Sequence, residues 1–231
     1  MDQAAYSLHR ASRNRDDRRL VFDRFWGGWK AYETTLGQTL DTHVKTHVFQ
    51  AKTRRYDSAL DAALSGPNIP TAVYQKLIEA THRHLPSLHR YFRLRQQMLG
   101  LDDLHYYDIY PPLVASQRTF DIAESKALTL ASAAPLGNHY LELLEKGFAG
   151  TWMHVYPQQG KAPGAYMYGD VYDVHPFLLL NHNGQFNDVS TFTHEWGHAI
   201  HTMLAKEHNP YETAGYATFT AEIASTTNEV L

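Results

Sequence analysis

Residues 194–198 read His-Glu-Trp-Gly-His. On a helix, positions i and i+4 lie one above the other on the same face, so His194 and His198 can turn two imidazole nitrogens toward one ion. Glu195 is not a ligand in that arrangement. Its carboxylate falls beside the ion, where it can take a proton from a water that the ion has acidified. This is the chemistry of metal-assisted hydrolysis, with a nucleophile made available at neutral pH. Gly197, between the two ligand positions, has no Cβ and lets a second backbone come close. A third protein ligand has to come from elsewhere. The pattern with a third histidine on the same segment needs Gly at 201 and His at 204, and this chain has His201 and Leu204. The remaining candidates are the downstream acids Glu207, Glu212, Glu222 and Glu229. Glu207 lies on or just past the first helix, and Glu212 follows Pro210-Tyr211 in a loop. Glu222 lies 24 residues beyond His198 inside Phe219-Thr-Ala-Glu-Ile-Ala-Ser225, a helical stretch with room to return antiparallel. Glu222 is therefore the expected third ligand of a single metal ion. Glu229, two turns further along the same face, is placed to orient a ligand histidine as a hydrogen-bond acceptor or to sit at the surface. His201 is expected to be packed or solvated.

The elements that must hold these groups are mostly helices. Trp29, Tyr32, Leu36, Leu40, Val44, Val48 and Ala51 step by three or four and predict one long helix, with Gly27-Gly28 able to bend it. Asp57 is placed to cap a short helix to about Leu64, followed by a Gly66-Pro67-Asn68 turn. A helix opens after Pro70, another restarts at Pro86, and Gly100 ends it. Tyr106 to Pro112 suggests an extended connector. Helices are expected from near Thr119 to Pro135 and from Asn138 to Phe148. Thr151–Tyr156 and Phe177–Leu180 read as strands, with a loop at Gly160–Gly164 and a turn at Asn183-Gly184. Asn187 or Asp188 can cap the metal-ligand helix. The expected fold is mainly α, a helical bundle with a small β-sheet next to that helix. Residues 1–112 form a helical region and residues 113–231 the part that carries the catalytic groups.

Composition narrows the partners. The chain has 231 residues, 43% hydrophobic, with 21 Lys+Arg against 24 Asp+Glu and a net charge of −3, which argues against a nucleic-acid binder. His82, His84, His89, Arg83, Arg90, Arg93 and Arg95 are better read as a solvated helix face. No cysteine is present, so thiol nucleophiles and cysteine-held metals are excluded, and any metal must be held by imidazole and carboxylate. Met1–Arg19 carries Arg10, Arg13, Arg15, Asp16, Asp17, Arg18 and Arg19 with no apolar run behind them, and Pro176–Leu180 is too short to span a bilayer. A cytoplasmic protein with no membrane partner is expected.

Beyond the spacing, the sequence resembles the oligoendopeptidase F family of zinc metallopeptidases, relatives of thimet oligopeptidase. The resemblance rests on Gly164-Ala-Tyr166, Asp173-Val-His-Pro-Phe-Leu-Leu-Leu-Asn181, Asn187-Asp188, Thr193-His-Glu-Trp-Gly-His-Ala-Ile-His201, Pro210-Tyr211 and Phe219–Glu229, with weaker likeness at Ala51–Tyr56 and Ile69–Tyr74. It implies a helical fold with a deep channel, zinc held by His194, His198 and Glu222, Glu195 as general base, and internal cleavage of short peptides. It also implies that the strand from Phe177 to Asn181 is the edge a bound peptide joins. Tyr166, His175, Phe177 and Leu179 are the expected substrate contacts. Family members are more than twice as long, and their C-terminal part supplies tyrosine and histidine donors to the substrate carbonyl. Two other readings stand beside the endopeptidase: a metal-binding but inactive chain that needs that C-terminal part, and a helical zinc carboxypeptidase.

Overall fold

The computed structural model describes residues 1–114 and 118–231, in two compact units, Met1–Ala115 and Ser116–Leu231.

The first unit is helical. It contains α1 (Gln3–His9), α2 (Arg15–Lys30), α3 (Glu33–Thr53), α4 (Ala59–Ser65) and α5 (Thr71–Met98). The predicted long helix is two helices, and the break falls at Ala31-Tyr32 rather than at the glycines. Gly27 and Gly28 lie inside α2 with no neighbouring atom that a Cβ would meet, so nothing demands a bend there. The Leu36–Val48 stripe remains exposed, and only Ala51 of α3 is buried. Ser58, not Asp57, caps α4 by accepting from the Asp61 N–H at 2.9 Å. Pro86 does not restart a helix; it lies within α5. A proline removes one donor and crowds the preceding turn, yet α5 continues through it to Met98. Gly100, at φ +64°, ends the helix as expected.

Tyr106 to Pro112 is no extended connector. Tyr106–Asp108 forms one turn of 3-10 helix, and Asp108 is fully buried. Its carboxylate accepts from Arg18 at 2.6 Å and Arg15 at 3.1 Å and from the His105 backbone N–H at 3.0 Å. Arg95, also buried, donates to the Asp108 and Pro111 carbonyls, so it is not part of a solvated basic face. Burial pushes the Asp108 carboxyl up, but the bonds from Arg18, Arg15 and His105 outweigh it and hold it below the usual range. Removing one member of a buried charge pair strands the other, which costs about 3–5 kcal/mol. Asp108→Asn is therefore expected to lower the unfolding free energy by about that amount, read as a lower urea midpoint in helical circular dichroism.

The second unit positions the chemistry. It runs α6 (Ile122–Ala133), α7 (Asn138–Ala149), β1 (Met153–His154), β2 (Tyr166–Tyr168), β3 (Phe177–Leu179), α8 (Phe186–His208) and α9 (Thr218–Val230). Phe192, Trp196, Ala199 and Ile200 form the inward stripe of α8 and are fully buried. They pack with Leu143 and Leu144 of α7, Ala133 of α6, Trp152, Leu178 and Leu180. At the start of α8, Asp188 works from the third helical position, not as the first cap: it accepts from the backbone N–H groups of Gln185 at 2.8 Å and Asn183 at 2.9 Å.

The sheet order is β1-β3-β2, with β1 parallel and β2 antiparallel to β3. The expectation that the Phe177 strand offers a free edge is therefore overturned. Its backbone is paired on both sides, and the outer strand beside α8 is β2, in a stretch to which the sequence assigned no element. No helix among the described residues is long and apolar enough to cross a membrane.

Candidate active site

The α8 stripe that buries Trp196 turns His194 and His198 to the opposite side, toward α9. α9 can come this close because position 197 is glycine. A Cβ there would lie 2.9 Å from Ser225 Cα and 3.1 Å from the Ala224 carbonyl oxygen. Asn228 locks the pair of helices: it is buried, donates to the Thr193 carbonyl at 3.3 Å and accepts from Tyr140 at 2.9 Å. Gly197→Ala is an overpacking substitution of the kind that costs about 1–3 kcal/mol. The expected result is retained helix content, by circular dichroism, with weakened metal binding because α9 carries Glu222.

The three expected ligands converge. His194 Nε2 and His198 Nε2 are 3.1 Å apart, and Glu222 Oε2 lies 3.4 Å from the first and 3.7 Å from the second. Donors bound tetrahedrally to zinc at their usual bond lengths stand about 3.3–3.4 Å from one another, so these three atoms already have the spacing of an ion's ligands. Among the described residues they are the group of three that could hold a metal.

The surrounding bonds explain why the rings point this way. Glu229 Oε1 lies 2.5 Å from His194 Nδ1, and Ser190 donates to the other Glu229 oxygen at 3.0 Å. A carboxylate at Nδ1 keeps the proton there and leaves the Nε2 lone pair for a metal. His198 is held in the same sense by a hydrogen bond to the Ala221 backbone carbonyl. Burial, with His194 adding to it, holds the His198 ring below the usual histidine range, so it is neutral at pH 7 as a ligand must be. Ser225 donates to Glu222 Oε2 at 2.9 Å and orients the third ligand. Because such supporting partners commonly contribute about 10–100-fold to metal affinity, Glu229→Gln is expected to weaken zinc binding by that factor in a competition titration against a chromophoric chelator.

Glu195 is buried, and its Oε2 has no hydrogen-bond partner among the described residues. Burial, the first cause, raises its pKa; the Glu222 charge adds to that, while His194 and a hydrogen bond from the Met167 backbone N–H oppose it. A carboxylate with one oxygen steered by β2 and the other unspent is equipped to accept a proton.

The other expected contacts are more dispersed. Tyr166 is exposed on β2, and Phe177 and Leu179 lie on the central strand. His175 stacks flat on Trp152 with ring centroids 4.5 Å apart and bonds the Pro176 carbonyl. His201 stacks on Tyr216 at 4.0 Å and is not a ligand. Glu207 pairs with His139 at 2.8 Å. Sequence reasoning passed over Ser190, Ser225, Asn228 and Met167. The serines sit four residues before His194 and three after Glu222, so helical spacing was a usable signal. Met167 had none, because its contribution is a backbone N–H.

Known proteins resemble this chain in sequence and in fold. The sequence profile of peptidase family M3 matches residues 8–231. The chain is 40% identical over 223 residues to the oligopeptidase PepF of Bacillus subtilis, covering 95% of this chain and 33% of that protein. A crystal structure of a peptidase from Chlamydophila abortus superposes with a TM-score of 0.74 at 37% identity, covering 100% of this chain and 38% of that one. The oligoendopeptidase F of Enterococcus faecium gives 0.61 at 28% identity, covering 100% and 33%. The chain thus spans about a third of the length of the curated relatives it matches.

Proposed function

Because this chain belongs to peptidase family M3, we propose that it carries the metal-binding and general-base part of a zinc endopeptidase that hydrolyses internal bonds of short peptides in the cytoplasm. The observation that carries the proposal is the convergence of His194, His198 and Glu222 at ligand spacing with the unspent carboxylate of Glu195 beside them.

Zinc in that position supplies Lewis acidity, polarising the scissile carbonyl and acidifying a water. Glu195 takes the proton of the attacking water and delivers it to the leaving amine. Its buried setting raises its proton affinity toward what such a shuttle needs. Glu229 and the Ala221 carbonyl hold the two imidazoles in the tautomer that leaves Nε2 free. An extended peptide joins the sheet at the outer edge of β2, where Met167 directs its N–H to Glu195. Of the four side chains expected to meet substrate, Tyr166 lies on that edge strand and takes the contact. Phe177 and Leu179 sit one strand further in, and His175 is occupied by Trp152.

One observation favours the reading in which the chain acts only with a C-terminal part. Phe219, Ile223 and Val230 of α9 are 61%, 56% and 86% exposed, an apolar face on the helix that carries Glu222. The test is cleavage of quenched fluorescent peptides amidated at the C-terminus, by the zinc-loaded chain alone and with the C-terminal part of a full-length relative. Internal cuts are expected, and the blocked terminus excludes a carboxypeptidase. Absence of cleavage in both arms contradicts the proposal.

A further inference from the structure

Past His198, the same face of α8 becomes the floor of a cavity of about 550 Å3, walled by Tyr168, Asp170, Tyr172, Tyr211 and Tyr216. Several of its polar groups are engaged within the protein. The Tyr172 hydroxyl donates to the Asn209 carbonyl at 2.8 Å, and Tyr216 and Thr202 hydrogen-bond each other. The Lys206 ammonium is drawn into the Val171 and Val174 carbonyls at 2.5 and 3.3 Å, so it is turned to the backbone of its own wall. Tyr172 and Tyr211 meet edge to face at 5.6 Å. Asp170 is different: it is exposed and makes no hydrogen bond or close ion pair among the described residues, and the Lys206 ammonium is a cation its charge reaches. What the cavity offers a ligand is therefore tyrosine ring surface, the hydroxyls of Tyr168 and Tyr211, and one carboxylate.

Ring faces carry partial negative charge and attract cations, and a carboxylate pairs with them directly. We propose that this cavity is a subsite for a cationic group of a bound peptide, an arginine or lysine side chain or a free α-ammonium, held by Asp170 against the tyrosine rings next to the metal ligand His198. The inference rests on the peptidase reading and adds to it a preference among peptides.

The test is binding of dye-labelled pentapeptides to the zinc-loaded Glu195→Gln chain, followed by fluorescence anisotropy. One arm compares an arginine peptide with its citrulline counterpart, both N-acetylated. The other compares free with acetylated N-termini on a neutral peptide. The expected preference for the charged member is about tenfold in at least one arm, the combined size of an exposed ion pair and one cation–π contact, and the arm that shows it identifies the source of the charge. Asp170→Asn is expected to bring the preferred peptide down to the affinity of its neutral counterpart. Equal binding of charged and neutral peptides in both arms, or a preference that survives Asp170→Asn, overturns the subsite while leaving the peptidase reading intact. If no peptide binds, neutral ones included, with the C-terminal part of a full-length relative added, the peptidase reading fails and the subsite fails with it.

Discussion

Glu195→Gln is expected to cut peptide hydrolysis by about 10²–10⁴-fold, the usual contribution of a positioned general base, while the protein retains its zinc. The amide matches the carboxylate in shape, so the packing beneath β2 is preserved. It has no basic lone pair of comparable strength, so the proton of the attacking water has no acceptor. The three ligand atoms belong to other side chains, 3.1–3.7 Å apart, and none depends on the Glu195 charge for its position. The loss should therefore appear in kcat with little change in KM, measured in whichever arm of the peptide assay shows turnover. Turnover within tenfold of the unaltered protein would remove Glu195 from the chemistry.

The second large effect belongs to the ligands. His194→Ala, His198→Ala and Glu222→Ala each remove one of three donors, and each should weaken zinc binding by well over the 10–100-fold expected for a supporting residue such as Glu229. Thermal stability offers an independent readout. A ligand that binds only the folded state stabilises it by about 4.1 kcal/mol at a thousand times its Kd. Added zinc should thus raise the melting temperature of the unaltered chain and leave the three variants nearly unmoved. The Glu222 variant is the sharper test, because its side chain is 51% exposed against 23% and 11% for His194 and His198. Alanine at Glu222 disturbs less packing, so a lost zinc response there reports coordination alone.

The convergence of the three candidate ligands was legible because helical spacing alone brings His194 and His198 to one face, and the 24 residues to Glu222 leave room for one turn-back. Gly197 was legible for the same reason: a small residue between two ligands marks the place where α9 must approach. The sheet was not. β2 is three residues long and exposed at both ends, so it carries neither the alternation nor the apolar run that marks a strand. Nothing in Phe177-Leu-Leu could say that both edges were taken, since pairing is set by segments distant in sequence. Local rules also misplaced Pro86, which favours a helix start in isolation but lies within a helix of 28 residues. Asp108 was hidden by its neighbours. Tyrosines and prolines suggested an open connector, whereas a carboxylate meeting Arg15 and Arg18 from 93 and 90 residues away buries it.

Anomalous diffraction at the zinc edge from crystals of this chain tests the central claim most directly. The account predicts a single peak bonded by His194 Nε2, His198 Nε2 and Glu222 Oε2 at about 2.0–2.2 Å. A chain that takes up no zinc at stoichiometric concentration, or an ion bound with the Glu222 carboxylate turned away and another residue in its place, would contradict it.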